Sequence, residues 1–139
     1  MNYFKQLTRQ EWGLLLLRFG LAIVFLWFGF SQLLDGLKWV SIVPEWATDL
    51  LNIPPAMIVL ANGLFEVVLG TLLAMGFWVR IVSFVLALHL IPITVDMGNT
   101  ATGVRDFGLV VSAIALSLLY SKKNTSIAIE NKISINGNY

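Results

Sequence analysis

Four stretches of this chain are each long and apolar enough to cross a lipid bilayer, which leaves few folds open. A helix spanning the hydrocarbon core needs about 20 mostly apolar residues, with a range of about 17–25. Residues 12–34 (WGLLLLRFGLAIVFLWFGFSQLL), 56–78 (AMIVLANGLFEVVLGTLLAMGFW), 80–97 (RIVSFVLALHLIPITVDM) and 104–120 (VRDFGLVVSAIALSLLY) meet that need. The composition agrees: the 139 residues are 58% hydrophobic and only 12% charged, with a mean hydropathy of +0.81. Soluble domains are about half apolar and about one quarter charged. A small soluble domain has no interior large enough to hide this much apolar surface. The expected fold is all-α: an integral membrane, antiparallel four-helix bundle in one domain over residues 1–121, then a tail over 122–139. The first apolar run is too long for the h-region of a signal peptide, about 7–15 residues, and no A-x-A site follows, so it reads as a retained helix.

Orientation follows from Lys and Arg near the helix ends. Lys5, Arg9, Arg80, Lys122, Lys123 and Lys132 fall on one side of a four-helix arrangement. The other side has Lys38 and Arg105 but also Asp35, Glu45, Asp49, Asp96 and Asp106. Both termini are therefore expected to be cytoplasmic. Between the first two segments, Pro44 suits the first position of a short helix. Trp46 and Leu50 lie one turn apart there, so residues 39–52 read as an interfacial helix on the outer surface. The functional alternative is a lid over a pocket between the helices. In the tail, Ile127, Ile129, Ile133 and Ile135 alternate with polar residues at strand period. A lone hairpin is marginal in water, so this segment reads as disordered or as a weak hairpin.

The net charge of +1 gives no general attraction to nucleic acid, and none is expected as a partner. The absence of cysteine excludes disulfides, thiol nucleophiles, Cys-based zinc or iron–sulfur sites and covalent haem attachment. With a single histidine the chain also lacks the usual pair of axial ligands for a membrane haem, unless a dimer shares them. No metal-binding constellation is visible.

Ionisable groups in a membrane segment are costly and usually face the bundle interior, where they pair or line a path. On the first segment, Arg18, Gly29 and Gln32 share a face. On the second, Asn62, Glu66 and Gly70 are spaced i, i+4, i+8, with Glu66 near mid-membrane, and Gly63 and Gly70 allow a neighbouring backbone to approach closely. On the third, His89 and Asp96 share a face, and Pro92 between them removes a backbone hydrogen bond. On the fourth, Asp106 sits in the first turn, where the helix dipole favours an anion, whereas Arg105 beside it needs a carboxylate to receive it. On antiparallel helices, Gln32, Asn62, Asp96, Arg105 and Asp106 fall in the outer third, Glu66 and His89 near the middle, and Arg18 deeper still. The expectation is a polar column open to the outside and narrowing inward. Buried charges pair; the expected pairs are Arg18 with Glu66, and Arg105 with Asp96 or Asp106. Each residue also has a purely structural reading, as a register clamp, a cross-helix hydrogen bond or a loop tie.

These residues resemble the DoxX family of four-helix membrane proteins. The early Arg of the first helix is matched by Arg18, and the Glu before a Gly-containing run by Glu66 and Gly70. The Gly–x–x–x–Arg turn is matched by Gly76 and Arg80, and the Arg-Asp-x-Gly-Leu opening of the fourth helix by Arg105, Asp106, Gly108 and Leu109. Where many relatives carry a Lys at the end of the first helix, this chain has Gln32. The family takes its name from a small subunit of a thiosulfate:quinone oxidoreductase, and other members are linked to oxidative-stress complexes. The resemblance implies a four-helix fold in a prokaryotic-type inner membrane and an association with redox chemistry.

Three functions follow from these observations. The first is a redox-linked membrane subunit that docks a quinone as ligand, with His89, Glu66 and Arg105 supplying hydrogen-bond donors and proton carriers, and with a membrane or peripheral redox protein as partner. The second is a non-enzymatic membrane module that binds a lipid or small solute, passes protons, or scaffolds a partner complex or a homo-oligomer. The third, a soluble all-α protein, conflicts with four segments of spanning length in one chain. No catalytic triad is visible, and whether the chain catalyses a reaction is open at this stage.

Overall fold

The computed structural model describes the backbone of residues 8–136 and the side chains of residues 8–121. Six helices follow one another: α1 (Arg9–Leu34), α2 (Leu37–Val40), α3 (Glu45–Leu51), α4 (Pro55–Met75), α5 (Val79–Met97) and α6 (Ala101–Asn136). Four of them, α1, α4, α5 and the 101–121 part of α6, are long and apolar enough to cross a membrane. Local chemistry sets their ends. Thr8 and Glu11 form a capping box, each side chain taking the other's backbone N–H, so α1 starts three residues before the apolar run. The α4 helix opens on Pro55, whose missing N–H is no loss in a first turn. It ends earlier than the apolar run does, because Gly76 turns left-handed at φ +82° and the Phe77 N–H closes back onto the Leu72 carbonyl. That is the Schellman closure that glycine permits. Trp78, at φ +45°, then starts α5.

Helix α1 packs along α4, and α5 along α6, while contacts between the two pairs are sparser. The α1–α4 approach is close enough that glycine is required. A Cβ on Gly29 would lie 2.8 Å from the Gly63 carbonyl oxygen, and one on Gly63 would lie 2.9 Å from the Gly29 oxygen. A Cβ on Gly70 would meet the Leu26 side chain at 3.1 Å. A continuous core joins the four helices through Leu21, Ala22 and Phe25, Leu73, Val82, Leu86 and Leu90, and Val110, Ala113 and Leu116. It fills the half of the bundle nearest the α4–α5 turn. The outward faces stay apolar: Leu16, Ile23, Trp27, Leu64, Ile81, Leu88 and Leu118 are all more than half exposed or close to it. An all-apolar outer surface on spanning-length helices is what lipid, not water, accommodates.

Two expectations differ from what the backbone shows. The segment over 39–52 is not one helix but two short ones, α2 and α3, with Pro44 preceding the second at ψ 143° rather than opening it. The residues beyond 121 do not form strands: the α6 backbone continues helical to Asn136, where alternation along the tail pointed to disorder or a hairpin. A period of two does not compel a strand where an existing helix can simply extend.

Candidate functional site

The two helix pairs part at the end opposite the core, and a cavity of about 470 Å³ opens between them. That size lies within the range of small-molecule sites, about 300–1,000 Å³. Its walls are apolar, with Phe25, Phe28, Leu90, Ile93 and Leu109 among them. The connector between α1 and α4 covers the mouth through Trp39, Val43, Trp46 and Ala47. Ala47 is buried, whereas Trp46 and Leu50 also present exposed surface. A single short segment thus both lines the cavity and leaves apolar surface exposed.

Of the eight polar residues singled out from the sequence, seven line this cavity: Gln32, Asn62, Glu66, His89, Asp96, Arg105 and Asp106. Glu66 is eleven residues along α4 from Pro55, about 16 Å from the helix start at 1.5 Å per residue. His89 is eight residues before the end of α5, about 12 Å deep by the same rise. At the deep end the Gln32 side-chain amide donates to Glu66 Oε2 at 2.9 Å. The Asn62 amide donates to Gln32 Oε1 at 2.8 Å. The other Glu66 oxygen, Oε1, is 3.8 Å from His89 Nε2, beyond hydrogen-bond reach. His89 Nε2 is buried and has no hydrogen-bond partner. The His89 ring is held by Phe65, centroid to centroid 4.6 Å.

Nearer the mouth, Arg105 places Nε 2.8 Å and a terminal nitrogen 2.7 Å from Asp106 Oδ1. Its guanidinium lies over the Phe28 ring at 4.6 Å, a geometry that favours a cation on an aromatic face. Asp106 is buried while Arg105 is half-exposed. The expected pairing of Arg105 with Asp96 does not form: Asp96 takes the Trp46 indole N–H at 3.4 Å instead, and Arg105 folds onto its own neighbour. The cost of an Arg near a helix start is met within α6 itself.

Arg18 departs from expectation. It does not reach Glu66 and lies outside the cavity. In the antiparallel register fixed by Gly29 against Gly63, Arg18 falls beside Gly76, ten residues beyond Glu66, or about 15 Å along the axis. Its guanidinium sits where a Gly76 side chain would be, donates to the Tyr120 hydroxyl at 3.4 Å, and lies over Phe19 at 4.8 Å. Nearby, Ser117 Oγ donates to the Arg80 carbonyl at 2.8 Å and ties α6 to the first turn of α5.

Sequence reasoning also missed residues. Nothing in the spacing singles out Phe28, and the amphipathic pattern puts Trp46 on an interfacial segment with a lid as the alternative, although both line the cavity beside Arg105 and Asp96. Trp39, read the same way, donates its indole N–H to Ser31 at 3.1 Å. Tyr120, the last residue of the fourth apolar segment, carries the hydroxyl that Arg18 uses.

Four spanning-length helices enclosing a cavity with polar groups at its inner end define an α-helical membrane protein with an intramembrane pocket. A family model described as DoxX matches residues 13–99, more than half of the chain. The chain therefore belongs to the DoxX family. The match covers α1 to α5 and ends before the Arg105–Asp106 pair. No curated protein and no solved structure matches the chain.

Proposed function

We propose that this DoxX family protein is a redox-associated membrane subunit that holds a quinone in the cavity for a partner enzyme. The observation that carries this reading is the deep end of the pocket. His89 stands in the wall of an apolar slot and its Nε2 is a buried polar atom with no hydrogen-bond partner, beside a Glu66 oxygen that Gln32 leaves free. Buried polar atoms are almost always paired, so an unpaired one in a cavity wall supports a ligand oxygen that the imidazole meets by tilting toward the slot. A bound quinone would supply the redox chemistry. The chain's own residues hold the ring between apolar walls, exclude water behind the connector, and place an acid–base pair at the ring oxygen. Arg105, already paired with Asp106, borders the mouth. The positive-inside pattern supports an orientation with both termini in the cytoplasm and the cavity mouth on the outer face of a prokaryotic-type inner membrane.

One observation favours the second reading, a non-enzymatic module. The chain from Asn62 through Gln32 to Glu66 is closed by hydrogen bonds without any ligand and joins α1 to α4. The test is to purify the protein in mild detergent, extract what accompanies it, and treat an Arg105→Ala, Glu66→Gln double variant alongside. A quinone in the wild type that is missing from the equally folded variant is the expected result. No bound molecule in either would refute the quinone reading and leave the polar residues with a structural or partner-docking role.

A further inference from the structure

The polar residues at the cavity floor are arranged in sequence, not merely clustered. Asn62 Nδ2 donates to Gln32 Oε1, and Gln32 Nε2 donates to Glu66 Oε2. Each amide fixes the orientation of the next group. Because Asn62 occupies the oxygen of Gln32, the nitrogen of Gln32 must face Glu66. Because that nitrogen occupies Oε2, any proton on Glu66 and any ligand contact belong to Oε1. Oε1 is the atom 3.8 Å from His89 Nε2. Two polar atoms at that separation are too far apart to bond each other, and because Nε2 is buried one oxygen atom reaches both when the imidazole tilts toward the cavity. Glu66 is 4% exposed, so its orientation is not set by solvent, and the Phe65 ring packs against the imidazole.

We infer that Asn62 and Gln32 are positioning residues, and that they present the Oε1–H of a protonated Glu66 and the Nε2–H of His89 together as a two-point donor seat for a single ring oxygen of the ligand. The inference deepens the quinone reading and rests on it. It assigns the inner carbonyl of the quinone to this seat and leaves the outer carbonyl in the apolar part of the slot. The two carbonyls of a symmetric quinone therefore become inequivalent on binding. Neither Asn62 nor Gln32 needs to touch the ligand; their effect passes through the orientation of Glu66. Precisely placed polar groups of this kind lose function when their supporting hydrogen bonds are removed, even with the contacting residue intact.

The experiment uses the full chain in detergent with the symmetric 1,4-naphthoquinone as probe. It reads the dissociation constant and the infrared carbonyl bands of the bound probe. In the wild type the carbonyl band splits, with one component moved to lower frequency by its hydrogen bonds. Asn62→Ala is expected to weaken binding by about fivefold to tenfold, the loss of one orienting hydrogen bond, and to abolish the splitting, although Asn62 lies one bond removed from the seat. His89→Phe abolishes the splitting without disturbing the Asn62–Gln32 pair, and carries the test if Asn62→Ala does not fold. Wild-type binding with an unsplit band, or splitting that survives in both variants, overturns the seat while the quinone reading stands. No binding of the probe to the wild type overturns both.

Discussion

Gly63→Ala is the most direct probe of how the site is assembled. A Cβ at this position would lie 2.9 Å from the Gly29 carbonyl oxygen and 2.9 Å from the Gln32 Cβ. Ordinary contact begins at 3.4 Å, so α1 and α4 must separate by about half an ångström, and backbone rather than a flexible side-chain end has to move. Overpacking of this kind costs about 1–3 kcal/mol. Alanine also returns up to about 1 kcal/mol of helix propensity relative to glycine, so the raw change understates the clash. Gly20 supplies the control, because a Cβ there meets nothing within 4 Å. The difference between Gly63→Ala and Gly20→Ala isolates the clash, and it is expected to be about 1–3 kcal/mol. Unfolding of both variants by dodecyl sulfate in mixed micelles, followed by circular dichroism, measures it. The separation also strains the floor of the cavity, since Asn62 adjoins Gly63 and Gln32 lies one turn from Gly29. Equal stability of the two variants would refute the glycine-mediated approach, and with it the account of how Gln32 is delivered to Glu66.

Two further outcomes follow from contacts at the two ends of the bundle. Trp46→Phe removes the hydrogen bond from the connector to Asp96, and thiol labelling of a Leu109→Cys reporter in the cavity wall is expected to quicken about two- to tenfold, the worth of one such bond; unchanged labelling would mean that the connector does not restrict access. Gly76→Ala forces a side chain into left-handed backbone and into the place of the Arg18 guanidinium, costing about 1–2 kcal/mol for the conformation alone, whereas Tyr120→Phe loses only a 3.4 Å bond and costs less than about 1 kcal/mol. The same unfolding assay ranks them, and a Gly76→Ala protein as stable as Tyr120→Phe contradicts this placement of Arg18.

The four spanning helices were legible because length and hydropathy alone define them. The convergence of Gln32, Asn62, Glu66, His89, Asp96, Arg105 and Asp106 was legible because polar residues in lipid have few places to go, and helical spacing says which of them share a face. Which atoms pair was less legible. Arg18 seemed able to extend to Glu66, but the register that decides the matter comes from glycine contacts between helices, which spacing along one helix does not reveal. Asp96 and Arg105 are close in sequence and opposite in charge, yet each found a nearer partner, one a tryptophan and the other an adjacent residue. The connector could not be assigned to either role from its pattern, since a seven-residue helix offers two apolar faces and only the tertiary fold decides which is covered.

The uneven filling of the bundle has a consequence for traffic across the membrane. Leu21, Leu73, Leu86 and Leu116 close the half opposite the cavity, with Leu73, Leu86 and Leu116 wholly removed from solvent. The molecule is a cup rather than a pipe. Whatever enters must leave on the side it came from or slip sideways into lipid. A protein built this way serves only the face of the membrane on which its mouth opens and keeps the two compartments apart.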